Sequence, residues 1–163
     1  MQRQRQLIIG LLGLILCSCG GIGTQSSVPA MPVNITIDTR QGAFVHFVFP
    51  QATNQYVIVD KAGYHYNSYD NVLPFTGAFG CGGVVVYGSV LETYTAYDLA
   101  CPYCYAHGHI ESCIVDGIFA DCPGCEERYE ISGGVAVPTK GIGHECLRAI
   151  PPTYVGGVIR IVQ

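Results

Sequence analysis

The stretch VNITID at residues 33–38 alternates apolar and polar side chains. Successive side chains of a β-strand point to opposite faces, so this pattern predicts a strand with one buried and one solvent-facing side. Residues 43–49 (AFVHFVF) and 56–60 (YVIVD) repeat the pattern with the β-branched and aromatic residues that strands favour. Residues 82–91 (GGVVVYGSVL) form a longer apolar run bounded by glycines, which predicts a buried strand with a bulge at Gly88.

Further short runs of the same character continue to the end of the chain, and turn residues separate them. No ten-residue window shows a helical period of 3.6 free of Gly and Pro. We therefore predict an all-β domain, either a sandwich or a small barrel. The further strand candidates are residues 94–98, 109–116, 117–121, 128–131, 146–150 and 158–162.

The composition limits the class of protein. The chain has 163 residues, of which 49% are hydrophobic and 12% charged, with 21 Gly, 9 Cys, 11 Tyr and no Trp. Such a chain can bury enough apolar surface to fold, so intrinsic disorder is excluded, and its length fits one domain. A formal net charge of −4 excludes a nucleic-acid binder that works through a general positive field.

The first residues predict an export signal. Two arginines precede the apolar run LIIGLLGLIL at residues 7–16, which is too short to span a bilayer. The following Leu-Cys-Ser-Cys resembles a bacterial lipobox with Cys19 as the lipid acceptor, whereas Cys17 as acceptor would place the bulky Leu16 directly before it. An ordinary signal peptide with incidental cysteines is the alternative. Residues 1–18 are thus a predicted lipoprotein signal, and acyl chains on Cys19 would attach an exported protein to the membrane, on the periplasmic side or at the outer membrane.

The region after the signal divides into two parts. Residues 19–31 include GGIGTQSSVPAM, a stretch of small residues, Ser and Pro without periodicity, which is typical of a flexible tether. We therefore predict a tether at 19–31 and a folded domain at 32–163.

Four cysteines form two pairs of identical spacing, Cys101-Pro-Tyr-Cys104 and Cys122-Pro-Gly-Cys125, with 17 residues between the pairs. A Cys-x-x-Cys turn directs two sulfurs at one point, and two such turns on adjacent hairpins make a four-thiolate cage for zinc or iron. The alternative is disulfide bonding, because disulfides persist outside the cytosol. The predicted metal ligands are Cys101, Cys104, Cys122 and Cys125.

Around these turns the sequence resembles the Rieske iron–sulfur fold, in the form found in exported lipoproteins of the Bacteroidetes type. Residues 97–103 (YDLACPY) resemble the first ligand loop of that family, and residues 121–130 (DCPGCEERYE) resemble the second. The sequences ISGG and VPTKG within residues 131–141 are similar to the segment that covers the iron–sulfur cluster in that family. Residues 146–162 are similar to the last hairpin of the family. The resemblance implies a β-sandwich or barrel with a small metal-binding lobe of two hairpins, a [2Fe-2S] cluster and one-electron transfer.

The chain departs from the family at two ligand positions. Tyr103 stands where the family has its first ligand His, and Cys125 stands where it has the second. Only Cys101 and Cys122 correspond directly, while Cys104 is the natural fourth thiolate, displaced by one residue. A two-iron cluster with four thiolates would have a lower potential than a Rieske centre. Four sulfurs on one ion would instead hold zinc, as a structural site, or a single iron.

Other histidines and cysteines lie near the two turns. His107 and His109 follow the first turn and are either alternative ligands or solvent-facing loop residues. Among Cys81, Cys113 and Cys146, two can form a disulfide, for instance Cys113 with Cys146, which leaves the third as a thiol.

Two functions follow as expectations. The first is a one-electron carrier with a [2Fe-2S] cluster, shielded by the loop at Pro138 and paired with a redox partner protein at the membrane. The second is a non-enzymatic binding or structural module stapled by zinc, or by disulfides with no metal. The sequence shows no acid–base pair, phosphate loop or activated nucleophile, so we predict no catalytic residues and no independent enzyme.

Overall fold

The computed structural model describes residues 25–47, 55–66, 72–89 and 93–163. The predicted signal peptide, Cys17 and the predicted lipid acceptor Cys19 lie outside these residues. The described part of the chain is mostly β-structure arranged in three antiparallel sheets, which confirms the predicted all-β class. Among the described residues, no helix combines the length and the apolar character needed to cross a lipid bilayer.

A five-stranded sheet forms the middle of the molecule. Its order is β4-β3-β2-β5-β6, and every residue of β5 and nearly every residue of β2 is buried, because both faces of these strands are covered. The bounds are β2 Gln55–Asp60, β3 Gly63–Tyr66, β4 Val72–Leu73, β5 Val84–Gly88 and β6 Tyr94–Asp98.

A three-stranded sheet covers one face of the middle sheet. It consists of β1 Asn34–Asp38, β12 Val158–Val162 and β11 Thr153–Val155, in the order β1-β12-β11. Ile35 pairs with Ile161, and these side chains are buried with Val57 of the middle sheet. The alternation at residues 33–38 therefore does produce a strand with one face in the core.

A smaller four-stranded sheet forms a lobe over the other face. Its strands are β7 Ile114–Asp116, β8 Phe119–Asp121, β9 Arg128–Glu130 and β10 Pro138–Lys140, in the order β10-β9-β8-β7. A short helix, α1 Pro102–Ala106, precedes it. Ile58 and Val85 of the middle sheet share a core with Ala120, Tyr129 and the cysteines of this lobe. The resemblance implies a metal-binding lobe of two hairpins. The second cysteine pair does lie on a hairpin, between β8 and β9, whereas the first pair lies at the start of α1 and not on a hairpin.

Three local predictions were wrong. Within the predicted strand at 43–49, the described residues belong to a 3-10 helix at 42–47, and residues 48 and 49 lie outside the described residues. Phe44 and Phe47 are three residues apart, and the 3-10 helix turns both rings toward Tyr66. Gly88 has no bulge: it pairs regularly with Tyr94, and a side chain there would meet the rings of Phe47 and Tyr94. Residues 146–150 contain no strand and contribute a single bridge between Ala149 and Tyr97.

The described end of the predicted tether lies against the domain. Val28 is fully buried, and its carbonyl accepts a hydrogen bond of 2.9 Å from Arg148 Nη1. The Ser27 hydroxyl donates to the Pro102 carbonyl at 2.9 Å, and the Ser27 backbone N–H donates to the Glu145 carboxylate. Residues 25–31 are thereby linked to the segment that begins α1.

The buried carboxylate of Asp98 ties the middle sheet to the first cysteine turn. Asp98 ends β6, is fully buried, and accepts three backbone hydrogen bonds, from Cys81 at 2.6 Å and from Gly82 and Ala100 at 2.9 Å each. Because Ala100 immediately precedes Cys101, this carboxylate fixes the chain where it enters the lobe.

We expect Asp98→Ala to lower the free energy of unfolding by about 2–3 kcal/mol. It leaves the buried Ala100 N–H and the part-buried N–H groups of Cys81 and Gly82 without this acceptor, and a buried N–H without an acceptor costs about 1–3 kcal/mol. Urea unfolding measures the change. Asp116→Ala is the control, because Asp116 is an exposed carboxylate on β7 and its removal should change stability by less than about 0.5 kcal/mol. Equal effects of the two substitutions would contradict the role assigned to Asp98.

Candidate metal centre

The first cysteine pair is built on the start of α1. Cys101 directly precedes the helix, donates its backbone N–H to the Glu111 carbonyl at 2.8 Å, and accepts at its carbonyl from the Tyr105 N–H at 3.0 Å. Pro102 occupies the first turn, where its fixed φ suits a helix and its missing N–H costs nothing. Cys104 lies one turn later, so both sulfurs face the same side.

The second cysteine pair lies in the turn between β8 and β9. The Cys122 N–H donates to the Glu127 carbonyl at 2.8 Å, and the Glu126 N–H donates back to the Cys122 carbonyl at 3.0 Å. Glu126 has a φ of 60°, in the left-handed region that only Gly adopts readily. This conformation reverses the chain directly after Cys125 and returns it to β9.

The two turns bring four sulfurs together. The Sγ atoms of the four cysteines all lie within 4.8 Å of one another. Two short separations cross between the turns: 3.5 Å from Cys101 to Cys125 and 3.6 Å from Cys104 to Cys122. Three of the four side chains are buried, and Cys125 is partly exposed. Four sulfurs in this arrangement can hold a metal ion.

Backbone N–H groups point at three of these sulfurs and favour their thiolate forms. Amide donors directed at a thiolate also offset part of the negative charge that a four-sulfur cage carries. The donors are Cys104 N–H to the sulfur of Cys101, Gly124 and Cys125 N–H to the sulfur of Cys122, and Glu127 N–H to the sulfur of Cys125.

A fifth thiol touches the group, which the sequence did not indicate. The Cys113 side chain is buried against the sulfurs of Cys101 and Cys122. Its hydrogen bond is the main cause that lowers the pKa of Cys101 and of Cys122, and the same contacts raise the pKa of Cys113 itself. The predicted disulfide from Cys113 to Cys146 is wrong, since neither residue is disulfide-bonded and Cys113 faces the cage.

The remaining two thiols are harder to ionise than a free cysteine. Burial raises the pKa of Cys104 and of Cys125, and the neighbouring thiols raise the pKa of Cys104 further. Four negative charges within 4.8 Å would repel one another strongly in a partly buried site. A metal ion at the centre converts this repulsion into attraction, so the arrangement is suited to a cation.

Two further side chains support the cage. The buried Tyr129 hydroxyl lies 3.5 Å from Cys101 Sγ, and burial raises its pKa, so it keeps its proton and can donate to the sulfur. Glu127 is fully buried and accepts hydrogen bonds from Ile142 N at 2.6 Å and Gly143 N at 2.7 Å. These bonds hold the loop of residues 141–143 against the second turn.

The predicted alternative ligands lie outside the four-sulfur group. His107 Nδ1 donates to the Tyr103 carbonyl at 2.7 Å, and its ring lies 4.3 Å from the Tyr103 ring. His109 is exposed and lines a separate cavity beside Tyr105. Pro138 begins β10 and pairs with Tyr129, so the predicted Pro-loop is an edge strand next to the second turn.

Comparison with known proteins identifies no relative: no protein family, no curated protein and no solved structure matches the chain. The functional argument therefore rests on the residues and their geometry.

We expect Glu126→Gly to raise the free energy of unfolding by about 1 kcal/mol, because glycine adopts a φ of 60° without the 1–2 kcal/mol cost of the left-handed region. Glu126→Ala is the matched control. Both variants remove the 3.6 Å contact between Glu126 and Lys140, which is solvent-exposed and contributes little to stability. Only the alanine variant keeps a Cβ at residue 126, so the comparison isolates the cost of the left-handed backbone. Chemical unfolding should rank the glycine variant above both wild type and alanine variant, and the reverse order would show that residue 126 is not strained.

Proposed function

We propose that the protein is an exported, lipid-anchored, non-enzymatic module whose lobe is held together by one zinc ion bound to Cys101, Cys104, Cys122 and Cys125. The observation that carries this proposal is the mutual proximity of the four sulfurs, all within 4.8 Å. The Zn–S bond of about 2.3 Å places the sulfurs of a tetrahedral site about 3.8 Å apart, close to the 3.5 and 3.6 Å separations across the turns.

The same separations favour one ion over a two-iron cluster. In a two-iron cluster the cysteines divide between two metal atoms, so sulfurs on opposite irons are separated by the width of the cluster. A group in which every sulfur lies within 4.8 Å of every other suits one central atom. The resemblance to Rieske domains therefore supports the fold and the position of the site more than it supports their cluster.

A structural role for the ion agrees with the construction of the lobe. Each strand of the four-stranded sheet has three residues, and much of its buried interior is Ala120, Val115 and cysteine side chains. Such a small core supplies little stabilisation by itself, and small domains often depend on a metal ion. An ion shared by α1 and the β8–β9 turn would join the two parts of the lobe.

Iron and one-electron transfer form the second candidate, favoured by the surroundings of two sulfurs. The Tyr129 hydroxyl lies at Cys101 Sγ, and hydrogen bonds to ligand sulfurs are one means by which proteins set the potential of an iron centre. The partly exposed Cys125 offers a short path from the centre to a redox partner protein at the membrane.

The location of the protein is part of the proposal and rests on residues 1–19. A lipid on Cys19 would lie nine residues from Val28 in the sequence, and Val28 is already buried in the domain. The domain would therefore stay close to the membrane surface. The formal charge of −4 argues against nucleic acid as a partner.

Metal analysis of the purified protein tests the proposal. We expect a colourless protein with about one zinc per chain, and we expect Cys122→Ser to lose the metal and to melt at a markedly lower temperature. Cys81→Ser is the matched control, because Cys81 lies outside the four-sulfur group and the same change there should leave the zinc content unaltered.

Other outcomes each exclude part of the proposal. Visible absorption that bleaches with dithionite would identify iron and favour the electron-transfer candidate. A protein with neither metal nor titratable thiols would show disulfides and contradict both candidates. Unchanged zinc content in Cys122→Ser would contradict the ligand assignment.

A further inference from the structure

The fifth thiol, Cys113, lies opposite one of the cage cysteines. Strands β7 and β8 pair in a regular antiparallel register, in which Val115 is opposite Ala120. Continued by two residues past this pair, the register places Cys113 opposite Cys122, where the hairpin leads into the second cysteine turn. Alternate residues of a strand share a face, so both cysteines lie on the buried face of Val115 and Ala120.

The two side chains are also in contact. The Cys113 thiol donates a hydrogen bond to the Cys122 sulfur, and both residues are buried. The backbone of Cys113 is held in place, because its N–H donates to the Leu99 carbonyl at 2.8 Å. Neither cysteine is disulfide-bonded, so two free thiols face each other inside the lobe.

The register suits a disulfide between these two residues. Directly opposite residues of an antiparallel pair have Cα atoms about 4.5–5.5 Å apart, and a disulfide joins Cα atoms about 4.4–6.8 Å apart. A bond from Cys113 to Cys122 therefore needs no shift of the backbone.

Cys101 also touches Cys113 but is less well placed for a bond. The bridge between Ala100 and Ser112 puts Leu99 opposite Cys113 and leaves Cys101 in a diagonal position. Diagonal neighbours have Cα atoms about 7–8 Å apart, which exceeds the reach of a disulfide. The register therefore selects Cys122 as the partner of Cys113.

A small oxidant can approach the pair through a cavity of about 440 Å³. Cys113 and Ser112 line this cavity, and so does Cys81, which lies outside the four-sulfur group. The partly exposed Cys125 gives a second approach to the cage from solvent.

The metal ion distinguishes the fifth thiol from the other sulfurs of the group. With an ion in the cage, as the proposed function has it, the sulfurs of Cys101, Cys104 and Cys125 are engaged as ligands. Cys113 touches the Cys122 sulfur without being one of the four ligands. It is therefore the thiol that is available to react when the Cys122 sulfur is oxidised.

We propose that Cys113 and Cys122 form a redox-sensitive pair, through which a peroxide converts the metal-bound lobe into a disulfide form that releases the ion. The Cys122 thiolate attacks one peroxide oxygen, the O–O bond breaks, and Cys122 becomes a sulfenic acid as hydroxide leaves. The Cys113 sulfur then displaces the sulfenic hydroxyl, which leaves as water with the Cys113 proton. Two electrons pass from the two sulfurs to the peroxide, and the three remaining ligands hold the ion more weakly.

Treatment of the zinc-loaded, full-length protein with hydrogen peroxide tests this pair. A chromogenic chelator measures the released zinc, and peptide mass spectrometry maps the disulfides. We expect the wild type to form the Cys113–Cys122 bond and to release zinc, and we expect dithiothreitol to restore both thiols and zinc binding.

Cys113→Ala should bind zinc before oxidation, because Cys113 is not a ligand. After peroxide it should lose the recovery by dithiothreitol, since a sulfenic acid without a resolving thiol proceeds to sulfinic acid, which thiols do not reduce. Cys81→Ala is the matched control: Cys81 lines the same cavity, and its removal should leave the disulfide and the recovery unchanged. Disulfide mapping in the wild type decides the pairing even if Cys113→Ala does not fold.

The outcomes separate this inference from the proposed function. A disulfide between two cage cysteines, or between Cys81 and Cys113, would overturn the redox pair and leave the zinc site intact. Full recovery of zinc binding in Cys113→Ala would also overturn it, because another cysteine would then resolve the sulfenic acid. A protein without zinc that still forms the Cys113–Cys122 bond would support the pair and contradict the proposed function.

Discussion

The meeting of four cysteine sulfurs at one point is the constraint on which the lobe depends. Four thiolates within 4.8 Å of one another would repel, so all four sulfurs can be ionised together only with a positive charge at their centre. Backbone hydrogen bonds hold each turn, one from the Cys101 N–H to the Glu111 carbonyl and one from the Cys122 N–H to the Glu127 carbonyl. The local turns therefore set the geometry within each pair, and the packing of the lobe sets the distance between pairs.

The two turns differ in how they are held to the rest of the molecule. The first follows β6 by three residues, and Asp98 and the bond from Leu99 N–H to the Gly83 carbonyl join it to the middle sheet. The second belongs to a hairpin whose strands have three residues each. An ion between the turns would connect the weakly supported hairpin to the well-supported sheet, so its contribution to stability would fall mainly on β8 and β9. This asymmetry is the physical reason why metal and folding should be coupled in the lobe.

Local patterns in the sequence predicted much of this structure, and long-range contacts account for what they missed. Two of these patterns depend only on adjacent residues. The alternation at residues 33–38 predicted a strand, and the structure has one there. The repeated Cys-x-x-Cys spacing predicted a group of four sulfurs, and the four sulfurs do lie close together. Residues 43–49 also alternate, but the environment of the rings of Phe44 and Phe47 decides their conformation. Cys113 could not be placed from sequence, because it reaches the cage through the pairing of Ala100 with Ser112.

The surroundings of the cage differ between its buried side and the side of Tyr129. Cys113 and the backbone amides lie against the buried sulfurs, where their hydrogen bonds offset part of the thiolate charge. On the side of Tyr129, one phenol stands between Cys101 and a cavity lined by two histidines. A hydroxyl donates a single hydrogen bond and carries no net charge, so the Tyr129 phenol offsets only part of the charge on a Cys101 thiolate. The Cys101 sulfur therefore has donors in the Cys113 thiol, the Cys104 N–H and the Tyr129 hydroxyl, and the last of these separates it from the cavity.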